Sequence, residues 1–266
     1  MIDIHSHILP GIDDGSDSIE ESVAVLKEIV KQNVREIIAT PHIITGTYNN
    51  TKEIIENKIN LIRNEIESNE IPIKIYPGAE LYIEPKIIEN IKKNDLTLGN
   101  SKYILFESAL QRFPNNFEDV IWDFQREGYK PIIAHAERFM PFINNRNRLI
   151  AILNRGVYVQ INSGSLFGLH GEKVQKFAEW LLANGCVHFI ASDLHGIKKR
   201  PLTMQQAYEY IVENFNQNLA DLLMDENPRH LLQDEPIENM IDGLYWDEEK
   251  PKQSIGRRFI NFLSRI

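Results

Sequence analysis

Short, continuous apolar runs alternate along this chain with longer stretches whose apolar residues recur every third or fourth position. The short runs are Ile2–His5, Glu36–Thr40, Ile73–Pro77, Tyr103–Glu107, Pro131–His135, Val157–Ile161 and Val187–Ser192. Rich in Ile, Val, Tyr and Phe, they predict strands buried on both faces, as in a parallel sheet. Helices are predicted between them. Ile19–Gln32 places Val23, Leu26, Ile29 and Val30 on one stripe, and Lys52–Glu67 does the same with Ile55, Ile59, Ile62 and Ile66. Further helices are expected over Pro85–Lys93, Phe117–Glu127, Arg146–Asn154, Glu172–Ala183 and Leu202–Asn214, with Gly128, Gly156 and Gly185 as stops after three of them. A βα unit repeated about seven times predicts an α/β fold on a parallel sheet. Periodicity alone leaves open whether that sheet is flat or closed into a barrel.

The polar residues fall at the ends of these strands. The first runs into His5 and His7, the second into Thr40-Pro41-His42, the third into Gly78-Ala79-Glu80, and the fourth ends at Glu107. The fifth ends at His135-Ala136-Glu137-Arg138, the sixth at Asn162-Ser163 and the seventh at Ser192-Asp193-Leu194-His195. In a parallel barrel all strand C-termini open on one face, which holds the active site, so residues distant in sequence would meet there. Taken singly, each group has a bland reading: a chance His-x-His, a turn residue after proline, solvated loop carboxylates, a helix cap. Their common placement is what those readings fail to explain. His170, His188 and His230 lack it and read as structural, with His188 expected to point away from the catalytic mouth.

Imidazole and carboxylate without thiolate suit Mn, Zn or Fe, and the carboxylate share favours Mn. The number of ligands exceeds what one ion needs, which implies two or three divalent ions able to clamp a phosphoryl group. If Asp14, Glu80, Glu107 and Asp193 held three such ions, the site would keep about two positive charges, and Arg138 and Arg200 would add forked phosphate donors. A locally cationic pocket would then sit in a chain of net charge -9, a charge that argues against a nucleic-acid partner. A length of 266 residues suits one such barrel. The single cysteine, Cys186, permits no internal disulfide and points to a reducing cytoplasm. No apolar run approaches the roughly 18 residues of a membrane span, and no signal peptide is expected.

The opening Met1-Ile2-Asp3-Ile4-His5-Ser6-His7, Asp14-Gly15, and the later Thr40-Pro41-His42, Pro77-Gly78-Ala79-Glu80, His135-Ala136-Glu137-Arg138, Asn162-Ser163-Gly164-Ser165, Ser192-Asp193-Leu194-His195 and Arg200-Pro201 resemble the PHP (polymerase and histidinol phosphatase) superfamily. More closely, they resemble the bacterial manganese-dependent protein tyrosine phosphatases of capsule and exopolysaccharide operons. The resemblance spans residues 1–232 and implies a distorted (β/α)7 TIM-like barrel, a single domain with a trinuclear site. One metal would take Glu80, Glu107 and His135; a second His5, His7, Glu80 and Asp193; a third Asp14, His42 and His195. Asp13 stands beside Asp14 as an alternative carboxylate. Arg138 and Arg200 would hold the phosphate. The implied reaction is hydrolysis of phosphotyrosine by a metal-activated hydroxide, without a phospho-enzyme, on a membrane-anchored bacterial tyrosine kinase. Mn2+ is the implied ion, with Fe, Zn or Mg as substitutes.

Cysteine-based chemistry needs an Arg six residues after the Cys, and Cys186 is followed at that distance by Ser192. Rival readings are a histidinol-phosphate or other small phosphate-ester phosphatase, a polymerase-associated proofreading module, and a non-catalytic metal-binding partner of the kinase. Residues 233–266 depart from the pattern as an acidic linker followed, over 250–266, by a basic amphipathic helix. That helix would suit peripheral contact with the inner face of the membrane, a docked subunit of a homo-oligomer, or a frayed tail.

Overall fold

The computed structural model describes residues 1–196 and 200–238. Nine short strands are all paired in parallel: β1 (Ile2–Ser6), β2 (Glu36–Ala39), β3 (His42–Ile43), β4 (Lys74–Pro77), β5 (Glu80–Tyr82), β6 (Tyr103–Glu107), β7 (Lys130–Ile133), β8 (Tyr158–Asn162) and β9 (Phe189–Ala191). They exceed the seven expected strands because two of those resume beyond their expected ends after a break. Pro41 offers no ladder donor and separates β2 from β3. Gly78 separates β4 from β5, where a Cβ would stand 2.7 Å from Ile38 and 2.9 Å from Leu98. The hydrogen-bonded orders are β1-β2-β4 and β3-β5-β6-β7-β8-β9. The curl closes where the segment after β9 meets β1, through Asp193 N–H to the His5 carbonyl (2.9 Å) and His7 N–H to the Leu194 carbonyl (2.8 Å). The result is the expected α/β architecture, a distorted seven-staved barrel.

The helices are α1 (Ile19–Lys31), α2 (Lys52–Ser68), α3 (Ile87–Asn94), α4 (Phe117–Arg126), α5 (Met140–Asn144), α6 (Arg146–Leu153), α7 (Glu172–Ala183), α8 (Met204–Asn214), α9 (Gln217–Asp221) and α10 (Asn227–Leu232). Ser18 and Thr51 cap α1 and α2 by accepting from Glu21 N–H and Ile54 N–H. Gly128, Gly156 and Gly185 take positive φ as stops. Helices α5, α9 and α10 were not foreseen. The last two are short, and a π-turn over Leu222–Glu226 separates them, which breaks the 3.6-residue period that would have announced one helix.

Alternation along the strands separates two cores. On β6, Ile104 and Phe106 face the helices, Phe106 packing its ring 5.5 Å from that of Phe124. Tyr103 and Leu105 face inward with Ile2, Ile4, Ile38, Ile132, Ala134, Phe189 and Ala191, filling the lower barrel. Glu107 continues that inward face at the strand's C-terminal end. The opposite mouth is closed by the chain's own continuation: Leu231 and Ile237 enter the inner core. The Tyr103 hydroxyl donates to the Glu235 carbonyl (2.7 Å) and the Tyr158 hydroxyl to the Ile237 carbonyl (3.3 Å). Residues 233–238, assigned above to the extension, thus lie against the barrel. The basic helix expected over 250–266 lies outside the described residues. Among the described residues no helix is long and apolar enough to cross a membrane.

Leu231 is fully buried, so Leu231→Ala should cost about 2–5 kcal/mol of unfolding free energy. Denaturant titration checks this, and a loss well under about 1 kcal/mol would show that the plug does not seal the core.

Candidate metal centre

The nine candidate ligands converge at the C-terminal mouth of the barrel. His5 and His7, from the end of β1, bring their Nε2 atoms within 3.2 Å of each other. Both rings are held from behind. His5 Nδ1 lies 3.1 Å from the Gln160 side-chain oxygen, and His7 Nδ1 lies 2.7 Å from Asp13 Oδ2. Each Nε2 is thereby aimed at the same place, where Glu80 Oε2 stands 3.2 and 3.3 Å away and Asp193 Oδ1 3.6 and 3.5 Å away. His42 Nδ1 approaches Glu80 Oε2 (3.0 Å) and Glu107 Oε1 (3.2 Å). His135 Nε2 approaches Glu80 Oε1 (3.0 Å) and Glu107 Oε2 (3.5 Å). Asp14 Oδ1 stands between His42 Nε2 (3.5 Å) and His195 Nε2 (3.3 Å). Glu80 is central and fully buried, whereas the Asp14 side chain is 51% exposed, so the cluster opens to solvent on the Asp14 side.

Three subsets bring ligand atoms within 4.8 Å of one another: His7, Asp14, His42 and His195; His5, His7 and Asp193; His42, Glu80 and Glu107. The donor set also fits divalent cations on a local observation. Glu80 Oε2 and His42 Nδ1 are buried and 3.0 Å apart, yet neither makes an aligned hydrogen bond to the other or to any further group among the described residues. Orphaned buried polar atoms are rare and costly, and lone pairs directed at a shared gap are what a cation satisfies. Oxygen and imidazole donors without sulfur suit Mn, Fe or Zn.

Electrostatics within the cluster follow from burial and crowding. Burial opposes charge on His42, but Glu80 and Glu107 outweigh it and raise its pKa to about 10. At His135 burial is again opposed by Glu107 and Glu80, to about 9. His7 is raised well above the ordinary range, its desolvation overcome by Asp13, Asp193 and Glu80. Burial would raise Glu80 and Asp193, yet the neighbouring imidazoles, His5 foremost, hold both well below the usual carboxylate range. The hydrogen bond from His195 lowers Asp14. Protons in this site occupy the role that metal ions fill elsewhere.

Arg138 and Arg200 reach the cluster through Asp193. Arg138 Nη1 lies 3.4 Å from Asp193 Oδ2, Arg200 pairs with the same oxygen, and Arg200 also donates to the Asp193 carbonyl (2.7 Å). Asn162 donates to that oxygen as well (2.7 Å). His135 and Asp193 hold positive φ, 33° and 49°, and such left-handed non-glycine residues are uncommon away from functional sites.

Several supporting residues were missed by sequence reasoning. Asp13, the alternative to Asp14, stands behind His7 and also accepts from the backbone of Gly15 (2.9 Å) and His42 (3.2 Å). Gln160 fixes both His5 and the His135 amide (2.8 Å). Asp3 accepts from Ser192 N–H at 3.0 Å, and Glu137 accepts from Asn162 N–H and the Ser165 hydroxyl. One signal was available: Asp3 and Gln160 are polar residues inside otherwise apolar strands, and Gln160 shares the inner face with Asn162. His170, read as structural, lines a cavity together with Arg138. His188 does point away, accepting from Val159 N–H and packing against Tyr158 near the closed mouth.

A family profile described as "Capsular polysaccharide synthesis, CpsB/CapC" matches residues 1–233. The tyrosine-protein phosphatase YwqE of Bacillus subtilis is 34% identical over 238 residues, covering 89% of this chain and 93% of that protein. A solved structure described among those of YwqE and of CpsB from Streptococcus pneumoniae, "unique metal-dependent tyrosine phosphatases", superposes with a TM-score of 0.85 at 34% identity, covering 90% of this chain and 96% of the other. A histidinol phosphate phosphatase from Lactococcus lactis shares the fold, with a TM-score of 0.57 at 17% identity over 84% of this chain and 94% of the other.

Gly15 is where the Asp13–Asp14 loop folds back on His7: a Cβ there would lie 2.0 Å from the His7 carbonyl oxygen and 2.6 Å from His7 Cβ. Backbone must move to admit it, so Gly15→Ala should destabilise by about 1–3 kcal/mol. Thermal unfolding checks this, and an unchanged midpoint would mean the loop tolerates displacement.

Proposed function

The chain belongs to the CpsB/CapC family of capsular polysaccharide synthesis proteins, and from that premise we propose a reading of its site. The protein is a metal-dependent tyrosine phosphatase. The observation that carries the proposal is the convergence of four imidazoles on the buried Glu80 carboxylate, beside two arginines.

In this reading His5, His7, Asp14, His42, Glu80, Glu107, His135, Asp193 and His195 hold two or three divalent ions, with Glu80 shared between them. Manganese is the proposed ion, on the carboxylate share. When bound, the ions supply Lewis-acid polarisation and lower the pKa of water. The chain's own groups do the rest. Arg138 and Arg200 have donors beyond those directed at Asp193 and orient the phosphoryl oxygens. Asp13 and Gln160 set the direction of the His7 and His5 rings, and Asn162 holds Asp193 in register. A cysteine nucleophile is disfavoured by structure as well as by motif, since Cys186 is buried and burial pushes its thiol up to about 12. The proposed substrate is a phosphotyrosine segment of a membrane-anchored tyrosine kinase, a partner class suggested by the capsule-synthesis family.

The test is an assay series with phosphotyrosine peptide, phosphoserine peptide and histidinol phosphate, with Mn2+ or with chelator. Phosphotyrosine should be preferred and activity lost on complete metal removal. His5→Ala and His42→Ala should each lower turnover by at least about a hundredfold in a folded protein. Full activity in both variants would refute the ligand assignment.

Ion uptake should also depend on pH. A protonated imidazole cannot ligate, and His42 and His135 keep their protons up to about 10 and about 9. Metal binding near neutrality must therefore displace protons, and affinity should rise with pH until those values are passed, by about tenfold per pH unit for each proton displaced. Competition with a metal indicator between about pH 6 and 8 measures the slope; a flat profile would show that His42 and His135 release no proton on metal binding, contrary to their raised pKa values.

A further inference from the structure

Beside the metal centre lies a cavity of about 460 Å³ whose walls include Leu110, Met140, Val174, His170, Lys173 and Arg138. None of the nine candidate ligands lines it, and Arg138 is the residue it shares with the site. That arginine reaches Asp193 at 3.4 Å, so a phosphoryl group held by Arg138 leaves the remainder of its molecule at the cavity's entrance. The lining is amphipathic in the manner of ligand pockets, whose usual range of about 300–1,000 Å³ includes this volume. Leu110, Met140 and Val174 are half-buried and offer apolar surface.

His170 adds a flat ring, kept uncharged near neutrality because burial, then Arg138 and Arg200, lower its pKa to about 4. The chain entering His170 carries Phe167 and Leu169 on the surface, 43% and 39% exposed, and Gly168 and Gly171, which flank Leu169 and His170, both take positive φ.

We propose that this cavity is the aryl subsite of the enzyme, taking the phenol ring of the phosphotyrosine and an adjoining apolar residue of the polypeptide that carries it. The proposal rests on the phosphotyrosine reading above and adds where specificity arises. An alkyl phosphate reaches Arg138 but leaves the cavity to water, whereas an aryl phosphate buries its ring there. Apolar pocket contacts of this size change specificity by about tenfold or more.

Val174→Trp, which narrows the cavity, and Met140→Ala, which widens it, test the idea on the full chain loaded with Mn2+. KM for a phosphotyrosyl peptide should rise about tenfold in Val174→Trp and measurably in Met140→Ala. The inhibition constant of inorganic phosphate, which reports the arginines and the metal centre, should stay within about twofold of the parent's. Unchanged KM in both variants overturns the subsite. So does a KM rise matched by an equal weakening of phosphate inhibition, because the cavity would then act only through the metal centre. If Val174→Trp fails to fold, Met140→Ala decides alone. A parent protein inactive on phosphotyrosyl peptide would instead sink the phosphatase reading, a different result from an active parent with unaffected variants.

Discussion

The structure is organised around a carboxylate that cannot stand alone. Glu80 is fully buried at the barrel mouth, and an isolated charge in that position would carry a prohibitive desolvation cost. Four imidazoles, from His5, His7, His42 and His135, stand within hydrogen-bonding range of it. They come from three different staves of the barrel. Each stave must end at the right height for the set to close, so the strand breaks at Pro41 and Gly78 and the positive φ of His135 and Asp193 are parts of one solution. The pairing is electrostatic: the carboxylates raise the pKa values of His42 and His135, and in the proposed reading divalent cations would meet the same donors.

Such a cluster needs a rigid support beneath and behind it. Beneath, the inward residues of the strands form an apolar core plugged from the far end by Leu231 and Ile237. Behind, a layer of polar groups turns each ligand toward the centre. Asp13 holds His7, Gln160 holds His5 and the His135 backbone, and Asn162 holds Asp193. Partners of this kind fix ring orientation and tautomer and are needed nearly as much as the ligands themselves. Glu137 ties the loop after β7 to the loop after β8 through Asn162 N–H and Ser165, which keeps Arg138 beside Asp193.

The division of labour at the mouth follows from that support. The ligand cluster is deep and nearly closed, reaching solvent chiefly at Asp14, whereas Arg138 stands at the border between it and a roomier, more apolar cavity. Arg138 directs its charged end at Asp193 and walls the cavity with the rest of its side chain.

Sequence by itself determined the seven-fold βα order and the rank of candidate ligands, because hydrophobic period and strand-end position are local properties. It also marked the candidate ligands His5, His7, His42, Glu80, Glu107, His135, Asp193 and His195 and the arginine Arg138, since each closes or follows an apolar run, whereas Asp14 and Arg200 were named through the family resemblance. It could not see Gln160 as an orienting group, because its partner His5 is contributed by another stave, 155 residues away, nor Asp13, because only the folding back of the loop after β1 sets its carboxylate behind His7. Nor could it see α9 and α10, whose period is broken by a π-turn, or the closing of the lower mouth by residues 231–238. The neighbourhood of His170 was hidden for the same reason: it follows no strand directly, and only the packing of its loop brings it to the cavity that Arg138 also lines. Local patterning dictates which groups lie at which end of each element, but contacts between elements are set by how seven staves curl and close, a property of the whole chain.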